Sequence, residues 1–385
     1  MYKIIKFFKS LKSIIIINSL IFFKKFFQKY KVVFFYFPVK SDPKSIFEFI
    51  EKLKNEEKIF IIAGYNFGSK NEIEDLSNSF FLDLGYLSFL YNLDIFISNY
   101  VVYKYPSSKS KIYINHDIYD TPMVDVAEED GLIKSLINCN FIFLSSDIQI
   151  ELINDKIENY LKRKKKVNNT KLINTGYLKL DYVSRQVENK SIVKNSILLA
   201  PTLSTMLQDF NISFFLADLI DEILKNSNLN LIYRPHPRDL YDLELKKNVE
   251  KINNRFSLNK KFFLDEKNSY IESYLKSKFL ITDFSGTAYT YAFSTLNPVI
   301  FFSPNDEMLL KNNNNKNLYF FKDRDQIGSI MKNISDLNNK CNYIDSNLNK
   351  IEQDIFKLRN LRIKNYGNSL KQSALAINNI LNDKV

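Results

Sequence analysis

The sequence predicts an α/β chain: two Rossmann-like domains facing a cleft, with a basic amphipathic N-terminal helical leader. Three observations lead there. Short apolar runs alternate with stretches of helical spacing along almost the whole chain, the signature of parallel β-α-β units. At 385 residues the chain is too long for one ordinary core and suits two. A polar stretch at 187–195 separates two such alternating sets. A content of 45% hydrophobic and 25% charged residues fits a folded chain rather than a disordered one.

In the first set, strands are expected at 32–37, 59–63, 111–115, 141–144 and 171–174, with an extended piece at 95–103. Helices are expected at 41–56, where Ser41-Asp42-Pro43 supplies a cap and a first-turn proline, and at 82–93 and 126–137. A further helix starts at the cap Ser145-Ser146-Asp147. In the second set, strands are expected at 197–200, 229–233, 262–264 and 318–321. Helices are expected at 213–225, 239–251, 269–276, 324–334, 345–358 and 369–381. The asparagine tract 312–315 reads as a loop tip. The domains are therefore drawn as a leader at 1–30, a first Rossmann-like domain at 31–190, a second at 191–368, and a last helix, 369–385, packing back on the first domain.

The net charge of +11 and a pI of about 9.2 invite nucleic acid, a membrane surface or an anionic substrate as partner. The distribution chooses among them. The first 31 residues hold eight lysines and no acid, with Lys3, Lys6, Lys9 and Lys12 interleaved with Ile4, Ile5, Phe7, Phe8 and Leu11. That is the pattern of an interfacial membrane segment, with an ordinary packed helix or a secretory signal as the alternatives. The apolar run 14–23 is shorter than the about 20 residues a spanning helix needs, and no small-residue cleavage site follows it. Peripheral attachment to the cytoplasmic face of the membrane through residues 1–30 is expected. The cluster Lys162-Arg163-Lys164-Lys165-Lys166 reads as a solvated helix end that could also touch lipid headgroups or a polyanionic product. No aromatic reading platform supports nucleic acid. Cys139 and Cys341 give neither a disulfide framework nor a metal knuckle, which suits a reducing cytoplasm.

The stretch 280–302, LITDFSGTAYTYAFSTLNPVIFF, reads as strand, tight turn, helix, strand. Its turn falls where open α/β sheets bind ligands, and a helix amino end there suits a phosphate. Asp283, Ser285, Gly286 and Thr287 line it; the bland alternative is that Asp283 or Ser285 merely caps the helix. None of the eight glycines forms GxGxxG after an early strand, and no P-loop occurs, which disfavours dehydrogenases and kinases.

The only histidines, His116 and His236, each follow an expected strand. His236 lies in Tyr233-Arg234-Pro235-His236-Pro237-Arg238, where the prolines stiffen the loop and Arg234 and Arg238 suit bidentate phosphate binding. His116 is followed by Asp117, and a His set by a carboxylate can serve as general base. Glu128-Glu129-Asp130 reads as an acidic first helix turn rather than a metal cluster. Zinc is disfavoured, and a divalent cation stays open as a cofactor.

Five segments in order resemble the CDP-glycerol:poly(glycerophosphate) glycerophosphotransferase family of teichoic-acid polymerases and primases. Thr175-Gly176-Tyr177-Leu178-Lys179-Leu180-Asp181 is similar to its GYPRxD segment, and Leu199-Ala200-Pro201-Thr202 to its APT segment. Arg234-Pro235-His236-Pro237 matches its RPHP segment, and Leu280-Ile281-Thr282-Asp283-Phe284-Ser285 resembles its LITDYSS segment. His116 stands where the family has its first essential histidine. The resemblance implies a GT-B fold and transfer of a polyol phosphate from a CDP-activated donor to a polymeric or lipid-linked acceptor, releasing CMP. It implies His116 as base, with Asp117 beside it, and His236, Arg234, Ser285 and Thr202 on the diphosphate; Arg238, Asp283, Gly286, Thr287 and Gly176 complete the candidate set. This sequence departs from the family at Leu178, Lys179 and Gly286. CDP-ribitol, or a nucleotide sugar used by a GT-B glycosyltransferase, therefore stays open as donor.

Overall fold

The computed structural model describes residues 2–38, 43–66, 73, 76–119, 126–165, 167–188, 190 and 192–384. The chain forms two compact units. Unit 1 comprises Met1–His116, Ala127–Lys179 and Lys364–Val385; unit 2 comprises Asp117–Val126 and Leu180–Ile363. The chain thus leaves unit 1 inside the helix Leu178–Glu188, earlier than the polar stretch suggested, and a ten-residue segment after His116 is built into unit 2.

Unit 1 is organised by a sheet of seven strands: β1 (Lys31–Phe37), β2 (Ile59–Tyr65), β3 (Ser79–Phe81), β4 (Leu93–Ser98), β5 (Ser108–Ile114), β6 (Phe141–Leu144) and β7 (Lys171–Asn174). All pair in parallel, in the order β3-β2-β1-β4-β5-β6-β7. A parallel sheet needs cover on both faces, and β1 shows how it is met. Val33, Phe35 and Phe37 point into a core with the helix Lys44–Lys54 and the last helix, Ser369–Leu381. Val32, Phe34 and Tyr36 point into a second core closed by Ile17 and Ile21 of the first helix, Tyr2–Phe26. That first helix is therefore an integral layer of unit 1. Its stripe Ser10, Ser13, Ile17 and Ile21 is buried, whereas Ile4, Phe8, Leu11, Ile15, Phe22 and Phe26 are between 41% and 62% exposed on another face. Among the described residues no helix is long and apolar enough to cross a membrane.

Unit 2 repeats the scheme with β8 (Ser196–Leu199), β9 (Asn230–Tyr233), β10 (Phe262–Leu264), β11 (Ser277–Thr282), β12 (Val299–Phe302) and β13 (Gly328–Met331). The parallel order β10-β9-β8-β11-β12-β13 is the Rossmann order, and it reverses between β8 and β11. The middle strands β8 and β12 are fully buried, and so is β11 except at Lys278.

Four local readings change. Residues 318–321 form the start of a short helix, Tyr319–Lys322, rather than a strand. The missing edge strand is β13, inside a segment expected to be helical. Residues 82–93 hold a 3-10 helix, Leu84–Phe89, whose Gly85 amide is capped by the Asp83 carboxylate, and then the start of β4. The helix expected at 239–251 is two helices, Pro237–Tyr241 and Leu243–Phe256, because the Asp242 carboxylate accepts the Glu244 and Leu245 amides and starts the second. The proposed cap Ser41-Asp42 lies outside the described residues; the helix at this point begins at Lys44.

Candidate active site

In unit 1, His116 follows β5 at its carboxyl edge, and its side chain is exposed. Three tyrosines fix it. The Tyr113 hydroxyl lies 3.0 Å from His116 Nδ1, and the Tyr100 ring stacks on the imidazole at 4.3 Å between centroids. The Tyr177 hydroxyl donates to the His116 carbonyl oxygen. Tyr177 therefore ties the Gly176-Tyr177 motif to this histidine, although 61 residues separate them.

Gly176 has a φ of +81°, and a Cβ there would meet Ser369 and Asn365 at 3.0 and 3.1 Å. Its place is against the start of the last helix, within unit 1. Asp117 is half-buried and opens the inserted segment of unit 2. Two residues on, Tyr119 is buried in unit 2, stacked on Tyr289 at 3.9 Å and hydrogen-bonded to Asp323. Asp323 in turn holds Arg362 through two bonds of 2.8 and 3.1 Å.

In unit 2 the sequence motifs converge on the carboxyl edge at the strand-order reversal. Thr202 follows β8, Asp283 to Thr287 follow β11, and Arg234 to Arg238 follow β9. Asp283 is 4% exposed, and its two oxygens accept the Thr202 amide at 3.0 Å and the Ile212 amide at 3.3 Å. Burial pushes its carboxyl up to about 6, against the pull of those amides and of its own and that of Ser285. Asp239 does the same job from the other side, accepting the Ser204 amide and hydroxyl at 3.2 and 2.7 Å; burial raises its carboxyl as well. The two aspartates thus clamp the loop after β8. In this structure both oxygens of Asp283, a candidate ligand contact, accept main-chain amides.

Arg234 is also committed to protein. Its guanidinium bonds Asp265 at 2.6 Å and the carbonyls of Lys267 and Asn268 at 2.8 and 3.1 Å, bracing the loop after β10. A carboxylate at the next strand end competes for the fork that would otherwise face a phosphate. Arg238 is exposed. His236 is half-buried and caps Pro237–Tyr241, its Nδ1 accepting the Arg238 amide at 3.2 Å. Ser285, Gly286 and Thr287 are half-buried, and the Ser285 hydroxyl accepts the Thr287 amide at 3.3 Å at the start of the helix Thr287–Thr295.

Unit 2 therefore offers one edge where a hydroxyl, a helix amino end, an imidazole and an exposed guanidinium follow three neighbouring strands, which suits a phosphate ester. Among the described residues no group of three or more His, Cys, Asp or Glu could hold a metal ion. The side chains of Glu128, Glu129 and Asp130 lie outside that description. Residue spacing pointed to the histidines and to the β11 turn. It did not point to Tyr100, Tyr177, Asp239 and Asp265, whose partners lie on other elements, nor to Tyr113, whose partners Asn115 and His116 are two and three residues on but which no motif marks.

Comparison with known proteins gives three findings. The model of the CDP-glycerol:poly(glycerophosphate) glycerophosphotransferase family matches residues 122–369. No curated protein matches the sequence. Among solved structures, the wall teichoic acid polymerase TagF aligns with a TM-score of 0.59 at 15% identity, covering 100% of this chain and 98% of that one. A UDP-N-acetylglucosamine 2-epimerase described as putative, from Listeria monocytogenes, aligns at 0.58 and 14% identity over 92% of this chain and 97% of its own. At these identities the structural likeness speaks to the GT-B-like fold.

Proposed function

We propose a division of labour among these residues for a chain that belongs to the CDP-glycerol:poly(glycerophosphate) glycerophosphotransferase family. The chain is a transferase that moves a polyol phosphate from a CDP-activated donor to a cell-surface polymer. The observation that carries the residue assignment is the gathering of Thr202, Ser285, Thr287, His236 and Arg238 on one carboxyl edge of unit 2, at the strand-order reversal. There the donor diphosphate binds. Ser285, the amino end of Thr287–Thr295 and His236 hold its oxygens, and Arg238 adds positive charge. Asp283, Asp239 and Arg234 keep the loops in place. His116 takes the proton of the acceptor hydroxyl as that oxygen attacks phosphorus; the bond to the CMP oxygen breaks, and CMP leaves.

The test is CMP release from CDP-glycerol with a glycerol-phosphate-primed acceptor. His116→Ala and His236→Ala are each expected to lose at least about 10²-fold in rate. A thermal shift with CDP but not UDP, lost in His236→Ala, is the matching binding result. Wild-type rates in both variants sink the assignment, and a shift with UDP alone points to a nucleotide sugar as donor.

The outer face of Tyr2–Phe26 supplies the membrane contact. Ile4, Phe8, Leu11, Ile15, Phe22 and Phe26 form an exposed stripe, with Lys9 and Lys12 exposed beside it. Phe8→Ser with Phe22→Ser should abolish sedimentation with anionic phosphatidylglycerol vesicles and leave the melting temperature within about 2 °C, since surface changes cost little. Unchanged sedimentation removes the helix from the proposal.

A further inference from the structure

The hydrogen bonds around the two histidines differ in kind, and the difference fixes which nitrogen of each carries the proton. At His236 the partner of Nδ1 is the Arg238 main-chain amide, at 3.2 Å. An amide only donates, so Nδ1 of the neutral ring is the acceptor and the proton sits on Nε2. At His116 the partner of Nδ1 is the Tyr113 hydroxyl, at 3.0 Å, which can donate or accept. Its single proton is already directed to Asn115 Oδ1, also at 3.0 Å. The Tyr113 oxygen is left to accept, so His116 Nδ1 carries the proton and Nε2 keeps its lone pair. Tyr100, stacked on the ring, restricts its rotation.

We propose that Tyr113, with Asn115, and the Arg238 main-chain amide are positioning groups that hold the two histidines in opposite tautomers: His116 with a basic Nε2, His236 with a donating Nε2–H. The proposal rests on the reading of His116 as base and His236 as a phosphate partner, and it deepens that reading. A base must present a lone pair to the acceptor hydroxyl; a group that steadies the phosphate must present a proton. Tyr113 fills at His116 the place a carboxylate fills beside a catalytic histidine in Ser-His-Asp enzymes. A phenol orients the ring through its oxygen without itself adding a formal negative charge.

Because the chain has only two histidines, the test is spectroscopically clean. The full-length protein, labelled with ¹⁵N in its imidazoles, is studied by long-range ¹H–¹⁵N correlation at about pH 8, above the ordinary imidazole pKa of about 6.5. His236→Ala assigns the signals. The expected result is one ring protonated at Nδ1, His116, and one at Nε2, His236. In Tyr113→Phe, and in Asn115→Leu as a second variant should the first not fold, His116 is expected to shift toward the Nε2–H form with His236 unmoved. Asn115→Asp, which keeps an acceptor for the Tyr113 proton, retains the wild-type pattern.

Finding both rings in one tautomer, or an unmoved His116 signal in folded Tyr113→Phe, overturns the proposal. These readouts need no substrate, so they separate from the fate of the transfer mechanism. If His116→Ala remains active, the base assignment fails while the tautomers stand. In CMP release from CDP-glycerol, Tyr113→Phe should lower kcat about ten- to hundredfold with KM for the donor little changed, less than the about 10⁴-fold loss when the carboxylate of a Ser-His-Asp triad is removed.

Discussion

Asp94 stands at the amino edge of the unit 1 sheet, at the start of β4; Asp283 stands at the carboxyl edge of the unit 2 sheet, just past β11. Both are almost fully buried, at 3% and 4% exposed. Asp94 accepts the Val32 amide at 2.9 Å and the ammonium groups of Lys25 and Lys109 at 3.0 and 3.2 Å. Asp283 accepts main-chain amides. Burial pushes both carboxyls up. At Asp94 the Val32 amide and the two ammonium groups outweigh it, and the carboxyl lies below the usual range. At Asp283 neutral amides do not, and it rises to about 6. Burial sets the cost of the charge; what decides the outcome is whether a formal opposite charge is within reach. The first aspartate locks a scaffold edge, binding the end of Tyr2–Phe26 to the sheet. The second shapes a candidate ligand edge, where a lysine would compete with a phosphate for the same space.

The largest effect that would test the contrast is at Asp94. Asp94→Ala leaves Lys25, with only 18% of its side chain exposed, beside an empty site. Breaking a buried pair on one side costs about 3 kcal/mol or more. A substantially lowered melting temperature is expected, with faster hydrogen exchange in Tyr2–Phe26, because Lys25 also bonds the Asn92 carbonyl in the same corner. A change below about 1 kcal/mol would mean that the ion pairs add nothing to the helix anchor.

The pH dependence comes next, and its sign differs between the units. The folded-state carboxyl of Asp94 is depressed, so its stabilisation is present above the unfolded value near 4 and is lost as pH falls below it. Asp283 is raised, so the folded state binds its proton first; its ionisation weighs against folding at pH 7, and that burden lifts as pH falls from about 6 to about 4. Measured against Asp283→Asn, which cannot titrate, wild type should gain up to about 3 kcal/mol on going from pH 7 to pH 4. At pH 7 the variant should itself be less stable by about 1–3 kcal/mol, since an amide nitrogen faces a main-chain donor. A gap that narrows on acidification would refute the account of Asp283.

The same contrast marks what could be read in the sequence. Strand–helix alternation gives the layers because each apolar run must be covered on both sides. The turn 282–287 was legible because hydroxyls, a glycine and a helix start fall together within a few residues. The strand β13 was not: Gly328-Ser329 carries no strand signal, and the glycine is there because a Cβ would sit 1.7 Å from the Val299 carbonyl oxygen of the neighbouring strand. Arg234 looked free because its partner, Asp265, lies 31 residues away. The role of Tyr177 was invisible for a like reason, its partner lying 61 residues away; that of Tyr113 was invisible although its partners are two and three residues on, because tyrosine is common throughout this chain, at 23 residues, and nothing in the pattern singles this one out.

The smallest predicted effect separates the two lysines of Asp94. Both reach the carboxylate at similar distances, but Lys25 is 18% exposed and Lys109 is 69% exposed. Distance alone would rank them equal. Solvent does not: water screens the Lys109 charge, and an exposed pair contributes about 0–1 kcal/mol, while Lys25 works in a drier corner and bonds Asn92 as well. Lys109→Met should therefore shift stability by less than about 1 kcal/mol, with a loss that fades at high salt; Lys25→Met should cost more and keep its cost in salt. Urea denaturation of both variants at about 0.05 and about 1 M NaCl, where the screening length falls from more than about 10 Å to about 3 Å, tells them apart. Equal, salt-sensitive losses would make Asp94 a surface pair despite its burial, and would leave the Val32 amide as what sets its low value.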